Sequence, residues 1–326
     1  MAPSRAEIDR WIVGEAWVGS QLDAHLVELC DRIGPRWSGT EGERRAVEYI
    51  RGRMADYGLD EPRLEEFEFD SWEHEPAEAR VIEEGLAVDA LPFLCCPPTD
   101  VRGSLVDAGF GTPHALDAVR GRLPGAVALV NLTLEPFTDP QPLPARLKAL
   151  AAAGAAAAVV VERKSGRRME YHSANDFREG HAAGHPLPTV VTSREGGALL
   201  RRLAAEGKSL SLRVRSRAYR ATGLNTVADL RGDSWPDESI VVCGHHDTLM
   251  HTPGGNDNAS GTVVVMEVAR VLASLRRETG AGPGCTLRFV TFGAEELTLQ
   301  GSTAYVERHH GPEPLPRFVL NADELA

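Results

Sequence analysis

Three short apolar runs, Ile240–Cys243, Leu287–Phe292 and Phe318–Leu320, each end on imidazole or carboxylate groups. This feature limits most what the chain can fold into. Brief runs rich in Val and Phe read as strands buried on both faces, which belong to a sheet covered by helices. His245 and Asp247 follow the first run, Glu295 and Glu296 the second, and Asp323 the third. Between the first two, Asp257 sits in a Gly/Asn loop that opens a helix expected from about Ala259 to Leu275. Open α/β sheets bind their ligands beyond the carboxyl ends of strands. Carboxylates and an imidazole gathered there suit a divalent cation, zinc above all.

Each residue type has a reason to be there. His245 and Asp247 form H-x-D on an extended segment, where alternate residues share a side. That makes His245 a candidate ligand and Asp247 the acceptor that fixes its tautomer, with His246 facing away. Asp257 alone reads better as a helix N-terminal carboxylate stabilised by the dipole. Twelve positions after His245, in a loop at the sheet edge, it is also a candidate ligand bridging two metals. Asn258 or Ser260 can cap the helix that follows. Glu295 and Glu296 repel each other when both are charged, and a cation that takes one leaves the other free to move protons. Asp323 gains meaning only from the company of the others.

Composition narrows the function classes. With 326 residues and a net charge of −12, the chain has no basic face able to neutralise a nucleic-acid backbone. The cluster Arg163, Lys164, Arg167, Arg168 reads as a solvated loop. The cysteines (Cys30, Cys95, Cys96, Cys243, Cys285) are odd in number and lack C-x-x-C spacing, so neither a disulfide framework nor a thiolate zinc site is expected. The N-terminus lacks a signal-peptide core, and no run approaches the roughly 18 apolar residues of a membrane span. A cytoplasmic location without membrane partners is expected.

Before the metal-bearing stretch, Arg5 to Ile33 carries apolar residues at near-helical spacing and stops at Gly34-Pro35. A helix is predicted over Glu41–Tyr57, with Ser38 or Thr40 and Glu43 as capping groups and Gly58 as its stop. Residues 76–217 are crowded with Pro and Gly and hold short predicted strands at 103–107, 126–132, 156–161 and 189–192, with two helices. His172, His181 and His185 in this tract are expected at the surface.

Taken together, His245-His246-Asp247, Asp257-Asn258-Ala259-Ser260-Gly261, Gly293-Ala294-Glu295-Glu296 and Asn321-Ala322-Asp323 resemble, in order and spacing, the motifs of the di-zinc aminopeptidase and glutamate-carboxypeptidase family. The early stretch GPRWSGTEGERRAVEYI is similar to that family's N-terminal helices, and residues 76–217 loosely to its inserted protease-associated domain. The resemblance implies Asp257 as bridging ligand, His245 and Asp323 on one zinc, and Glu296 on the second. It implies Glu295 as general base, Asp247 as orienting residue, and a cis peptide after Asp257. The family's second zinc takes a final histidine from beyond the N-x-D strand, whereas this sequence stops three residues after Asp323. The reading therefore expects an incomplete catalytic domain with its second site one ligand short. His309 and His310 end a helix leading away from the site; His251 lies in the right loop but has no family counterpart.

The expected fold is a phosphorylase/hydrolase-like α/β domain with a mixed, mostly parallel sheet, formed by residues 1–75 and 218–326 around an inserted β-rich domain at 76–217. The expected activity is zinc-dependent removal of terminal residues from peptides, as an aminopeptidase or else a carboxypeptidase. The rivals are a glutaminyl-cyclase-like acyltransferase and a non-catalytic module resembling the transferrin-receptor ectodomain.

Overall fold

The computed structural model describes residues 4–175 and 184–325; His181 lies outside the described residues. The chain divides into two compact units, one of residues 1–71 with 220–326 and one of residues 72–219.

The first unit begins with α1 (Arg5–Val18), whose Ser4 and Glu7 form a reciprocal N-terminal cap. Helix α2 (Leu22–Leu26) runs into a wider turn, Val27–Ile33, that stops at Gly34. The helical pattern predicted over Arg5–Ile33 is thus two helices, parted at residues 19–21. Helix α3 (Glu41–Tyr57) ends at Gly58, whose φ of +82° is open to glycine without penalty. Its N-terminus departs from the expected capping box. The Thr40 hydroxyl donates to the Trp37 carbonyl, and Glu43 accepts from the Gly39 N–H instead. Strand β1 (Asp60–His74) follows.

The second unit holds β2 (Glu78–Val81), β3 (Leu86–Val88), β4 (Leu91–Pro92), β5 (Thr99–Asp107), α4 (Pro113–Asp117), β6 (Val127–Asn131), α5 (Leu143–Ala152), β7 (Ala157–Val161), β8 (Thr189–Thr192), α6 (Arg194–Ala205) and β9 (Ser209–Val214). They make one sheet in the order β3-β2-β9-β5-β6-β7-β8-β4. Neighbours from β5 to β8 are parallel, so this part is α/β in character as well as β-rich. Its core gathers Phe93, Val130, Leu147, Leu150 and Val160. Neither His172 nor His185 is the open surface group expected. His172 is half-buried with Nε2 3.0 Å from Glu162, and His185 is half-buried and bonded to the Leu94 carbonyl.

The chain returns to the first unit through β10 (Ser216–Leu230), then β11 (Trp235–His245), α7 (Gly261–Thr279), β12 (Cys285–Phe292), α8 (Gln300–His309) and β13 (Phe318–Asn321). The sheet order is β1-β10-β12-β11-β13. β11 is parallel to both β12 and β13, while β10 is antiparallel to β12, giving a mixed sheet. Register decides the rest. Ile240 lies opposite Leu287 and Phe318, and Cys243 opposite Val290 and Asn321. The three predicted exits therefore emerge side by side at one end of the sheet.

Helix α7 packs Val265, Met266, Ala269 and Ala273 against Ile50 and Met54 of α3 and Val242 and Phe289 of the sheet. Each such larger side chain contributes about 1.5–3 kcal/mol on burial. Residues Gly255–Thr279 are long and apolar enough to cross a membrane by length and mean hydropathy alone, although Glu267 and Arg270 interrupt the apolar run, and 83% of their most apolar 18-residue window is buried inside the protein. A second correction concerns β13. Phe318, Val319 and Leu320 are 51–57% exposed, because β13 lies at the sheet's edge with β11 as its neighbour.

Candidate metal centre

The parallel register of β11, β12 and β13 explains why groups scattered over some eighty positions can meet. His245 is the last residue of β11, Glu295 and Glu296 lie just past β12, and Asp323 just past β13. Asp257 arrives from the segment Gly255–Ser260 that leads into α7, where Asp257 and Asn258 leave helical geometry and the bond between them is cis.

His245 is the hub. Its Nε2 stands 3.1 Å from Asp257 Oδ1, 3.5 Å from Asp323 Oδ1 and 3.7 Å from Glu295 Oε2, while Nδ1 faces Asp247 Oδ1 at 3.3 Å. One donor atom each from His245, Asp257 and Asp323 lies within 4.8 Å of the other two. The imidazole is buried, whereas Asp257 and Asp323 keep two-fifths of their side chains open to solvent. The cluster is therefore open to solvent on the side of its carboxylates.

Asp247, fully buried, does more than orient the imidazole. Its two carboxylate oxygens also accept the backbone N–H groups of Glu295 and Glu296, at 3.2 and 3.3 Å. One side chain therefore ties the exit of β11 to the exit of β12. Asn258 ties the other pair: its amide donates to the Ala322 carbonyl, and its Oδ1 accepts from Gly261 N–H and Glu324 N–H. Of the two capping candidates, Asn258 is the one that caps α7; Ser260 donates back to the Asn256 carbonyl. Gly261 is required there, since a Cβ would run into the Ala322 carbonyl and Asn258 Oδ1. His246 faces away, buried, with Nδ1 3.0 Å from Thr291 Oγ1 and Nε2 toward Glu43. His309 lies elsewhere, bonded to Glu65 and Glu313, and His251 is exposed outside the donor cluster.

Electrostatics test whether these residues suit a cation. Burial pushes the Glu296 carboxyl up to about 9, with help from the charges of Asp247 and Asp257 and some opposition from His245. Burial likewise raises Glu295; His245 counters it while Asp247, Asp323 and Asp257 add to it. Burial alone would lower the His245 imidazole, but its bonds to Asp247 and Asp257 and the surrounding carboxylates push it up to about 11. The cluster is starved of positive charge, and without a metal it borrows protons. One imidazole nitrogen and several carboxylate oxygens on converging strand exits form a donor set that fits zinc. Glu296 sits at one side, where its Oε1 accepts the Leu249 N–H at 3.0 Å.

Residues 225–326 match Peptidase family M28. Carboxypeptidase Q of Bos taurus is 24% identical to the chain over 307 residues, covering 91% of this chain and 63% of its own length. Aminopeptidase YwaD of Bacillus subtilis (strain 168) is 27% identical over 300 residues, covering 91% and 59% respectively. Among solved structures, the zinc aminopeptidase BSAP from Bacillus subtilis superposes with a TM-score of 0.73 at 25% identity, covering 94% of this chain and 68% of its own. The chain thus spans about three-fifths of the length of the curated relatives it matches. The family match is confined to the last third of the chain, the part that carries the candidate metal centre.

Proposed function

We propose that this chain, whose last third matches Peptidase family M28, belongs to a zinc exopeptidase that acts most readily on a free peptide amino terminus. The observation that carries the reading is the convergence of His245, Asp257 and Asp323 on one point, with the Glu295 carboxylate beside it. Relatives named as aminopeptidases and as carboxypeptidases support exopeptidase chemistry, and the second group keeps the carboxyl terminus as an alternative target. Residues 72–219 are read as the counterpart of an inserted protease-associated domain, which their forming a separate compact unit supports.

In this reading His245, Asp257 and Asp323 hold one zinc, and Asp257 with Glu296 holds a second. Bound zinc supplies a Lewis acid that polarises the scissile carbonyl and makes water acidic. The protein's own groups do the rest. Glu295 takes a proton from the attacking water and returns it to the departing amine, a task its raised pKa suits in both directions. Asp247 keeps His245 in the tautomer that leaves Nε2 free, and through the Glu295 N–H it also holds the base in place.

The whole protein loaded with zinc should hydrolyse aminoacyl anilides and leave amino-blocked peptides intact. Glu295→Gln should reduce kcat by roughly 10²–10⁴-fold while calorimetry finds zinc affinity little changed. Cleavage of amino-blocked peptides from their carboxyl end would favour the carboxypeptidase alternative, and release of pyroglutamyl product an acyltransferase. A wild-type protein that takes up no zinc would defeat the enzymatic reading altogether.

A further inference from the structure

Arg36 is a charged side chain with no exposure to solvent, far in sequence from every residue of the metal centre. Burying a guanidinium is costly unless its N–H groups are all satisfied. Here they are satisfied by backbone carbonyls. Nε donates to His246 O at 2.7 Å. Nη1 donates to Pro253 O at 2.7 Å, Leu29 O at 3.0 Å and Gly34 O at 3.1 Å, and Nη2 to Gly254 O at 3.3 Å. The Cys30 thiol is a further bonding partner, and the carboxylate of Asp247 supplies a complementary charge nearby.

These acceptors are not scattered. His246 is the residue after the candidate ligand His245, and Pro253–Gly254 is the bend from which Asp257 hangs. That bend is tight: Gly254 has a φ of +54°, and a Cβ there would strike Thr248 and the Asp257 carbonyl. The backbone of Arg36 closes it from the other side, its N–H donating to Thr248 Oγ1 at 2.9 Å. Two residues on, Ser38 Oγ accepts the Ala294 N–H at 2.6 Å, in the turn that presents Glu295 and Glu296. Ala294 is itself held at a positive φ of 50°. A single short segment, residues 36–38, therefore grips the exit of β11, the ligand loop and the exit of β12.

We propose that Arg36 is a positioning residue of the metal centre, its guanidinium fixing the separation of His245 and Asp257 by clamping the carbonyls of His246, Pro253 and Gly254 together. Ser38 performs the same service for the turn carrying Glu295 and Glu296. The inference rests on the reading of His245, Asp257 and Asp323 as zinc ligands. Only a planar fork with several divergent donors can span carbonyls on both segments at once; an ammonium group is a point donor and cannot.

The sign of one measurement separates positioning from simple electrostatics. Removing a buried cation near a zinc site relieves repulsion and would tighten binding. Removing a clamp lets the ligands drift apart and weakens it. Zinc affinity of the full chain, measured by calorimetry, should fall about 10–100-fold in Arg36→Met and by a smaller factor in Arg36→Lys and Ser38→Ala, as losses of outer partners to metal ligands do. The visible spectrum of the cobalt-loaded Arg36→Lys protein should shift, since it reports ligand geometry. Urea unfolding of each metal-free variant gives the folded fraction for which affinity is corrected. Should Arg36→Met fail to fold, the Arg36→Lys and Ser38→Ala proteins carry the test. Unchanged or tighter zinc binding in the folded variants, with an unshifted cobalt spectrum, overturns the proposal while leaving the ligand assignment standing. A wild-type protein that binds no zinc overturns both.

Discussion

His245 shows at residue scale how a site can be tuned by what surrounds it. Its imidazole sits among Asp247, Asp257, Glu295 and Asp323, and their negative charge outweighs the cost of burying the protonated ring. With His245 up at about 11 and Glu296 at about 9, both carry protons at neutral pH when no metal is bound. A cation must displace them. Zinc uptake at pH 7 should therefore release roughly two protons, and apparent affinity should rise with pH toward 9. Calorimetry in buffers of different ionisation enthalpy reads the number directly; a release of none would contradict the cluster's electrostatics. Most of these residues stood out in the sequence because they follow a strand run, with the H-x-D spacing putting two on one side; Asp257 stood out only by its Gly/Asn loop. Arg36 and Ser38 were not. A buried arginine that bonds mostly to carbonyls leaves no pattern in its neighbours, since every residue offers a carbonyl.

Elements were legible wherever a period and a stop agreed. Helix α3 begins and ends where the apolar spacing and Gly58 put it, and β12 matches its predicted run with a small extension. The details that failed involve partners from elsewhere. Glu43 serves Gly39 and Leu224 rather than a capping serine, and β13 is exposed where its composition implied burial. Helix α2 supplies a testable case of such long-range pairing. His25 is buried with its ring nitrogens 2.6 and 2.7 Å from the hydroxyls of Tyr49 and Tyr57 in α3. Burial pulls this imidazole from 6.5 down to about 4, so the folded state holds it neutral. The unfolded chain takes up a proton first as pH falls. Stability contributed by neutral His25 is thus fully present above pH 6.5 and is lost as pH drops toward about 4, by at most about 1.4 kcal/mol per unit. Urea unfolding of wild type and His25→Gln across that window should differ in slope, the variant being the flatter. Parallel slopes would show that the pairing has no such effect.

At the scale of the whole molecule, the candidate ligands all belong to the unit of residues 1–71 and 220–326, and none to residues 72–219. A ligand that binds only the folded form stabilises it by about 2.7 kcal/mol at a hundred times its dissociation constant. For a domain of this size that is roughly 5–10 °C. Zinc should raise the melting transition of the ligand-bearing unit by that amount and leave the other unit's transition in place, as calorimetric scans with and without chelator would reveal. Equal movement of both, or of neither, would count against the assignment.

What the amino-acid order decided by itself was local: which stretches extend, which coil, and which chemical groups lie at their ends. Those follow from side-chain periodicity and from glycine at the stops, which act over a few residues. What only the tertiary structure decided was convergence. Parallel pairing of β11 with β12 and β13 sets three exits in one row, and Asp247, Asn258 and Arg36 then lock those exits together through hydrogen bonds that reach across 48, 64 and 210 positions. Such bonds depend on where backbone atoms come to rest after the core has packed, so no reading of neighbouring residues can supply them.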